Sequence, residues 1–293
     1  MFFNILVIVA IQSLTGFCKC VPADSETKNV QINSDQIQTK NAPKVPISIH
    51  ITDSAPQVVS VSAPVSASGV QNGVEKCVVP GTIALTFDDG PSENTRQILK
   101  VLNKHKVTAT FFINGINVVR KDHKFLRNIV DEGHTLGTHT FSHPALEKLS
   151  DFNILREMYD NEFIFRQVLN KRPRFFRPPY FSYSDHILKT IENFGYTLVL
   201  TNLDTYDWEG KTDAEILNTF SENLVDNNKT SFISLQHEQV LVRTKVLDDI
   251  ITLVKKRNYK IVSLKECLGY ASDYFEDEKY GPNMLNGIQS LLF

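Results

Sequence analysis

The chain has almost no net charge, four cysteines and a single tryptophan, and it lacks the HExxH motif. Its 31 Lys and Arg stand against 33 Asp and Glu, and no basic stripe is interleaved with aromatics, so there is no electrostatic footprint for nucleic acid. A neutral polymer or a small molecule is the easier partner. The one HxxxH, at 139–143, has Thr140 in second place, which excludes the metalloprotease form. Only the first residues, MFFNILVIVAIQSLTGF, form a long apolar run. That block fits the core of a secretory signal, although the usual positive charge ahead of it is missing, and it is short for a membrane span. Residues 1–20 are expected to be a signal cleaved between Cys18 and Ala23, leaving no stable span, with a signal anchor as the alternative. Cys18 and Cys20 sit at the end of that signal, which leaves Cys77 and Cys267 as an even pair expected to be bonded.

What is present is enough for a sizeable core: 42% of the 293 residues are apolar and 10% aromatic, which suits one large domain or two modest ones. Residues 21–76 are rich in Ser, Val, Gln and Asn, with Pro43, Pro46, Pro56 and Pro64 scattered through them, and read as a linker or propeptide without its own fold. From Cys77 the pattern becomes regular. Short β-rich runs at 82–87, 108–113, 134–139, 174–179, 197–202, 231–236 and 259–264 alternate with amphipathic helical runs such as RQILKVLNKHK and KVLDDIITLVKKR. This alternation predicts an α/β fold with parallel strands. An open doubly wound sheet and a distorted (β/α) barrel of about seven strands both fit. The barrel is favoured because residues able to carry chemistry sit at so many successive strand ends, which share one face in that architecture. The patterned domain is expected over 77–268, followed by a tail, 269–293, whose apolar end is too short for a GPI signal.

The stretch LTFDDGP, 85–91, ends an apolar run in two adjacent carboxylates, Asp88 and Asp89. A strand-to-turn junction explains it, yet two neighbouring like charges repel and need a reason to stay together. HTFSH puts His139 and His143 four apart, on one face if helical and within reach of one ion even in a tight turn. With a carboxylate from another strand end they make a two-His, one-carboxylate site with open positions, the arrangement of a catalytic zinc. One acid would then bind the cation while its neighbour takes a proton from water. In RFFRPPY, Arg177 reads either as a surface ion pair or as the group that orients the base. The rigid Pro178–Pro179 step would fix the Tyr180 N–H as an oxyanion donor, a group whose loss costs about 3 kcal/mol. Trp208, in LDTYDW, reads as core packing or as the wall of a small apolar pocket. His237, in SLQH, could protonate a leaving group if a carboxylate set its tautomer.

Taken in order, TFDDG (86–90), HTFSH (139–143), RPPY (177–180), DTYDW (204–208) and LQH (235–237) resemble the five motifs of the polysaccharide deacetylases, carbohydrate esterase family four. The resemblance spans about residues 77–268 and is strongest to fungal-type chitin deacetylases, whose cysteines before the first strand and in an ECLG-like segment resemble Cys77 and Cys267. It implies hydrolytic N-deacetylation of N-acetylglucosamine units in chitin or chitooligosaccharides by a secreted or cell-wall protein. Asp88 would be the general base, and Asp89, His139 and His143 would hold zinc, or else cobalt. Arg177 would position Asp88, the Tyr180 N–H would bind the oxyanion, and Trp208 and Leu235 would line the acetyl pocket. His237 would be the general acid, tuned by Asp207 ahead of Asp204. Peptidoglycan and acetylxylan are alternative substrates, and a non-catalytic wall or coat protein that binds chitin is the alternative from another class. The chain departs from the family at one position, where Phe181 stands in place of the common glycine and is expected to narrow the groove or alter the Tyr180 backbone. NKT, 228–230, is a glycosylation sequence.

Overall fold

The computed structural model describes residues 73–121, 123–225, 230–239 and 244–275. The expected signal, most of the 21–76 segment, Asn228 and Lys229 of the NKT sequence and the end of the tail lie outside the described residues.

Nine short strands form the frame: β1 (Thr82–Ala84), β2 (Thr86–Gly90), β3 (Thr110–Ile113), β4 (Thr135–Thr138), β5 (Phe175–Phe176), β6 (Thr197–Leu198), β7 (Leu203–Asp204), β8 (Phe232–His237) and β9 (Lys260–Ile261). Every pairing between them is parallel. Their order is β6-β5-β4-β3-β2-β8-β1-β9, with β7 on β8. β1 and β2 are halves of one run interrupted at Leu85. β8 accompanies both, through Ile83↔Phe232 below and Asp88↔His237 above, while β9 and β3 take successive lengths of the opposite edge. Among the described residues no strand pairing joins β6 to β7, so the path stays open there.

Parallel strands covered on both faces should be apolar throughout, and β3 and β4 are buried at every residue. Successive side chains point to opposite faces. Phe111 therefore joins an outer core with Phe87, Leu136 and the surrounding helices, while Phe112 joins an inner one with Ala84, Phe175, Val199 and Ile233. The helix Thr95–His105 buries Ile98, Leu99 and Leu102, the i, i+1, i+4 stripe of an amphipathic helix, and ends at Lys106 in the left-handed region. The helix Asp213–Asn223 begins in a capping box between Thr212 and Glu215, which satisfies two otherwise unpaired N–H groups.

The inner core is closed by the disulfide Cys77–Cys267, whose half-cystines are 190 residues apart in sequence and 4.4 Å apart at Cα. The expected pairing is therefore present. Residues 73–76, assigned from composition to the segment ahead of the domain, are already attached: Val74 bridges Val199 in parallel. Residues 270–275 of the expected tail also pack, the Tyr270 ring against Phe175 and Phe275 against the buried Arg172 guanidinium. Among the described residues no helix is long and apolar enough to cross a membrane.

Candidate active site

The C-terminal ends of the strands share one face, and the candidate residues meet there. Asp88 and Asp89 are the third and fourth residues of β2. Alternation turns Asp88 inward, where it is buried. Asp89 takes φ 66°, a left-handed conformation that Asp tolerates better than most residues, and this swings its carboxylate towards the histidines instead of continuing the strand.

HTFSH is a turn and not a helix, with Thr140 at φ 67° and His143 at φ 64°. The turn is clamped from the helix Asp151–Leu169: Glu157 accepts from the Ser142 N–H (2.7 Å) and hydroxyl (2.6 Å), and its carbonyl accepts from the Phe141 N–H. His139 Nδ1 donates to the Arg177 carbonyl (2.6 Å), which fixes its tautomer and leaves the Nε2 lone pair free. Burial pushes the His139 ring below its ordinary pKa, against the pull of Asp88 and Asp89, and so favours the neutral ring that a metal takes. His143 Nδ1 lies 3.1 Å from the Tyr180 hydroxyl.

Asp89 Oδ1 is 3.1 Å from His143 Nε2 and 3.6 Å from His139 Nε2. It is buried with no well-aligned hydrogen-bond donor, an unsatisfied state that usually has a reason. Burial pushes the Asp89 carboxyl up, but the approach of His143 and the positive fields of His139, His143 and His237 bring it down to about 2. One donor atom from each of Asp89, His139 and His143 lies within 4.8 Å of the others. A charged carboxylate and two convergent imidazoles fit a divalent cation, which would also satisfy the orphaned oxygen.

Arg177, directly after β5, is completely buried. Its guanidinium donates to Asp88 Oδ1 (2.8 Å), Thr86 Oγ1 (2.7 Å) and the Val199 (3.2 Å) and Leu200 (3.0 Å) carbonyls, and thus occupies the opening between β6 and β7. Burial lowers its pKa and Asp88 opposes this. Its surface-ion-pair reading is thereby excluded. The guanidinium also lies 4.3 Å over the Phe112 ring, and a Cβ on Gly137 would sit 2.5 Å from that ring. The glycine in TLGT is thus a spacer that lets Phe112 support Arg177.

On the opposite wall, His237 ends β8. Asp207, itself buried, accepts from the His237 ring (2.7 Å to Nδ1) and from its backbone N–H (2.7 Å). Burial alone would lower the His237 pKa, but the Asp207 bond and the charges of Asp88, Asp207 and Asp89 raise it to about 9. Asp204 has a different task. It accepts from the Tyr206 N–H (2.8 Å) and faces Trp208 Nε1 at 3.5 Å, so it shapes the loop that presents the ring. Trp208 is 56% exposed, which removes it from the core. Leu235 is buried and lines the same cleft.

A cleft of about 390 Å³ is lined by Asp88, Asp89, His139, His143, His237, Trp208, Leu235, Tyr180 and Phe181. Tyr180 and Phe181 both have positive φ, 58° and 50°. Phe181 therefore occupies a backbone conformation where glycine is favoured, and its ring lines the cleft while packing on the cluster around Leu146 and Ile187.

Several contributors were not foreseen from the sequence. Asn117 donates to the Asp89 carbonyl (2.9 Å), Asn114 to the His139 carbonyl (2.6 Å), and Asn161 to Thr138 (2.6 Å) and to the Ile113 carbonyl (2.9 Å). Lone asparagines carry no periodicity or spacing signal, and only their placement marks them, Asn114 and Asn161 buried and Asn117 half-buried.

Residues 75–199 match the family described as polysaccharide deacetylase. The chain is 34% identical over 204 residues to a chitin deacetylase of Arthroderma benhamiae, covering 67% of this chain and 54% of that protein. It is 34% identical over 211 residues to a chitin deacetylase of Colletotrichum lindemuthianum, covering 68% of this chain and 84% of that one. The chain thus spans about half the length of the first and most of the second. The solved structure of the chitin deacetylase from the fungal pathogen Colletotrichum lindemuthianum superposes with a TM-score of 0.67 at 31% identity, over 71% of this chain and 97% of that one.

Proposed function

The chain belongs to the polysaccharide deacetylase family, and on that premise we propose that it hydrolyses the acetamide of N-acetylglucosamine units in chitin or chitooligosaccharides, releasing acetate. The observation that carries this reading is one cleft holding three distinct parts: the Asp89–His139–His143 cluster, the Arg177-held Asp88, and the Asp207-held His237.

Asp89, His139 and His143 would hold a divalent metal, for which two nitrogens and one carboxylate favour zinc, with cobalt as a substitute. When bound, such an ion polarises the substrate carbonyl and makes water a better nucleophile at neutral pH. Asp88 receives the proton of the attacking water, and its contact with Arg177 aims one carboxylate oxygen away from the cleft so that the other faces it. The Tyr180 N–H donates to the oxyanion. His237, kept protonated by Asp207, gives its proton to the departing amine. Trp208 and Leu235 pack on the acetyl methyl and exclude water from it. No covalent enzyme intermediate is needed, since water is the nucleophile and acetate and amine are the products.

The disulfide supports an oxidising compartment and hence a secreted or wall-associated protein. The test is acetate release from chitooligosaccharides, acetylxylan and peptidoglycan fragments by zinc-loaded protein, beside an Asp88→Asn variant. The reading expects release from the chitin oligomers and a loss of about 10²–10⁴-fold in the variant. Equal release by both proteins on every substrate would assign the fold to glycan binding without catalysis.

A further inference from the structure

Glu238 follows His237 directly and is entirely buried, yet it belongs neither to the metal cluster nor to the proton-transfer pair. A carboxylate removed from water needs a cation or several hydrogen bonds. Among the described residues Glu238 has no ion pair. One oxygen accepts instead from the Ser92 N–H (3.1 Å), the Ser92 hydroxyl (3.0 Å) and the Thr95 hydroxyl, all 143 or more residues earlier in the chain. The other oxygen has no partner and lies where a Cβ on Gly90 would stand, 1.9 Å from it. The backbone makes the same connection: the Glu238 N–H donates to the Asp88 carbonyl (3.1 Å), and its carbonyl accepts from Asn94 Nδ2 (2.9 Å). Burial pushes this carboxyl up to about 7, only partly opposed by Thr95 and Ser92, which agrees with a group held by hydroxyls and amides and not by charge.

These contacts join two segments whose relative position matters. Residues 88–95 carry Asp88 and Asp89, and β8 carries His237. We propose that Glu238 is a positioning residue for the deacetylation assigned above: its clasp on Ser92 and Thr95 sets Asp88 and Asp89 against His237 at the spacing that hydrolysis requires. The inference rests on that assignment for its catalytic part and on the metal site for the rest. Gly90 is the complementary element, since any side chain there would collide with the carboxyl.

The experiment compares full-length wild type with Glu238→Ala, Glu238→Gln and a Ser92→Ala/Thr95→Val double variant, which keeps the carboxylate and removes hydroxyl donors. Readouts are kcat and KM on chitooligosaccharides per bound zinc, and the zinc Kd by chelator competition. Loss of groups that orient metal ligands typically costs 10–100-fold, and small misplacements about 100-fold in rate. The expected result is a kcat reduced about 10–100-fold in Glu238→Ala and in the double variant. KM should stay within about 2-fold, zinc should bind about 10-fold more weakly, and Glu238→Gln, which keeps an acceptor oxygen, should restore most of both. A folded Glu238→Ala with wild-type kcat per zinc and wild-type Kd overturns the proposal, and if it does not fold the double variant decides on the same criteria. Wild type inactive on every acetylated glycan would refute the assigned reaction instead. The zinc Kd then decides the positioning role, unchanged affinity overturning it.

Discussion

Replacing Arg177 with Met isolates the electrostatic problem at the centre of the cleft. Methionine keeps the length and apolar stem of the side chain but removes four donated hydrogen bonds, to Asp88, Thr86, Val199 and Leu200. Two of these end on backbone carbonyls in the gap between β6 and β7, and one ends on a carboxylate that is 2% exposed. Breaking a buried pair by removing one partner costs about 3–5 kcal/mol, because the remaining charge is left uncompensated. A domain of this size shifts in Tm by about 2–4 °C per kcal/mol, so Arg177→Met should unfold roughly 6–20 °C lower. The control is Arg177→Met with Asp88→Asn, which removes the orphaned charge as well. It should recover at least half of the lost stability by calorimetry and none of the acetate release. A single variant within about 1 kcal/mol of wild type, or a double variant no more stable than the single, would refute the reasoning that the ion pair and not the packing governs this position.

Three further outcomes are expected. The His237 pKa near 9 lies above the ordinary 6.5, so the stability from its pairing with Asp207 is fully present below about pH 6.5 and is lost as pH rises through about 9. Asp207→Asn should therefore move the alkaline limb of kcat downward, by roughly one to three units, and a limb that stays in place would deny His237 the role of acid. Cys77→Ser with Cys267→Ser opens a loop of 190 residues, which the chain-entropy account values at about 5 kcal/mol; denaturant titration should show a loss of at least about 2 kcal/mol. Phe181→Gly relieves a left-handed backbone of about 1 kcal/mol while giving up a half-buried ring of similar value, so its net effect should stay within about 1–2 kcal/mol. Its effect should appear instead in KM, which should change for the longest oligomers, and an unchanged KM series would remove Phe181 from substrate selection.

Strand ends and motif residues were legible because apolar runs and their flanking polar residues are local properties. The surrounding helices were legible for the same reason, down to the stripe of Ile98, Leu99 and Leu102. Features set by distant partners were not. The run at 197–202 reads as one strand, yet only β6 forms within it and β7 starts beyond it at Leu203, because Val199 and Leu200 turn their carbonyls to Arg177. RFFRPP shrinks to the two residues of β5, since Pro178 and Pro179 have no N–H to give a neighbour. The HTFSH spacing allowed helix or turn. The left-handed Thr140 that decides it is uncommon for a β-branched residue and has no sequence signature. Glu238 belongs to no motif, and its partners at Ser92 and Thr95 lie too far along the chain to be paired by inspection.

The position of β8 also has a consequence for the order of events at the ribosome. It is flanked by β1 and β2 on one side and by β7 on the other, so β2 offers an open parallel edge from the time it is made until residue 237 follows. At about 5–20 residues per second that interval is on the order of 10–30 seconds, long compared with helix formation and local collapse. From residue 143 onward within that interval the nascent chain holds both carboxylates, His139 and His143 but has neither His237 nor Glu238. A chain released early would have a metal site and no proton donor, and its unpaired β2 edge would invite association with other chains.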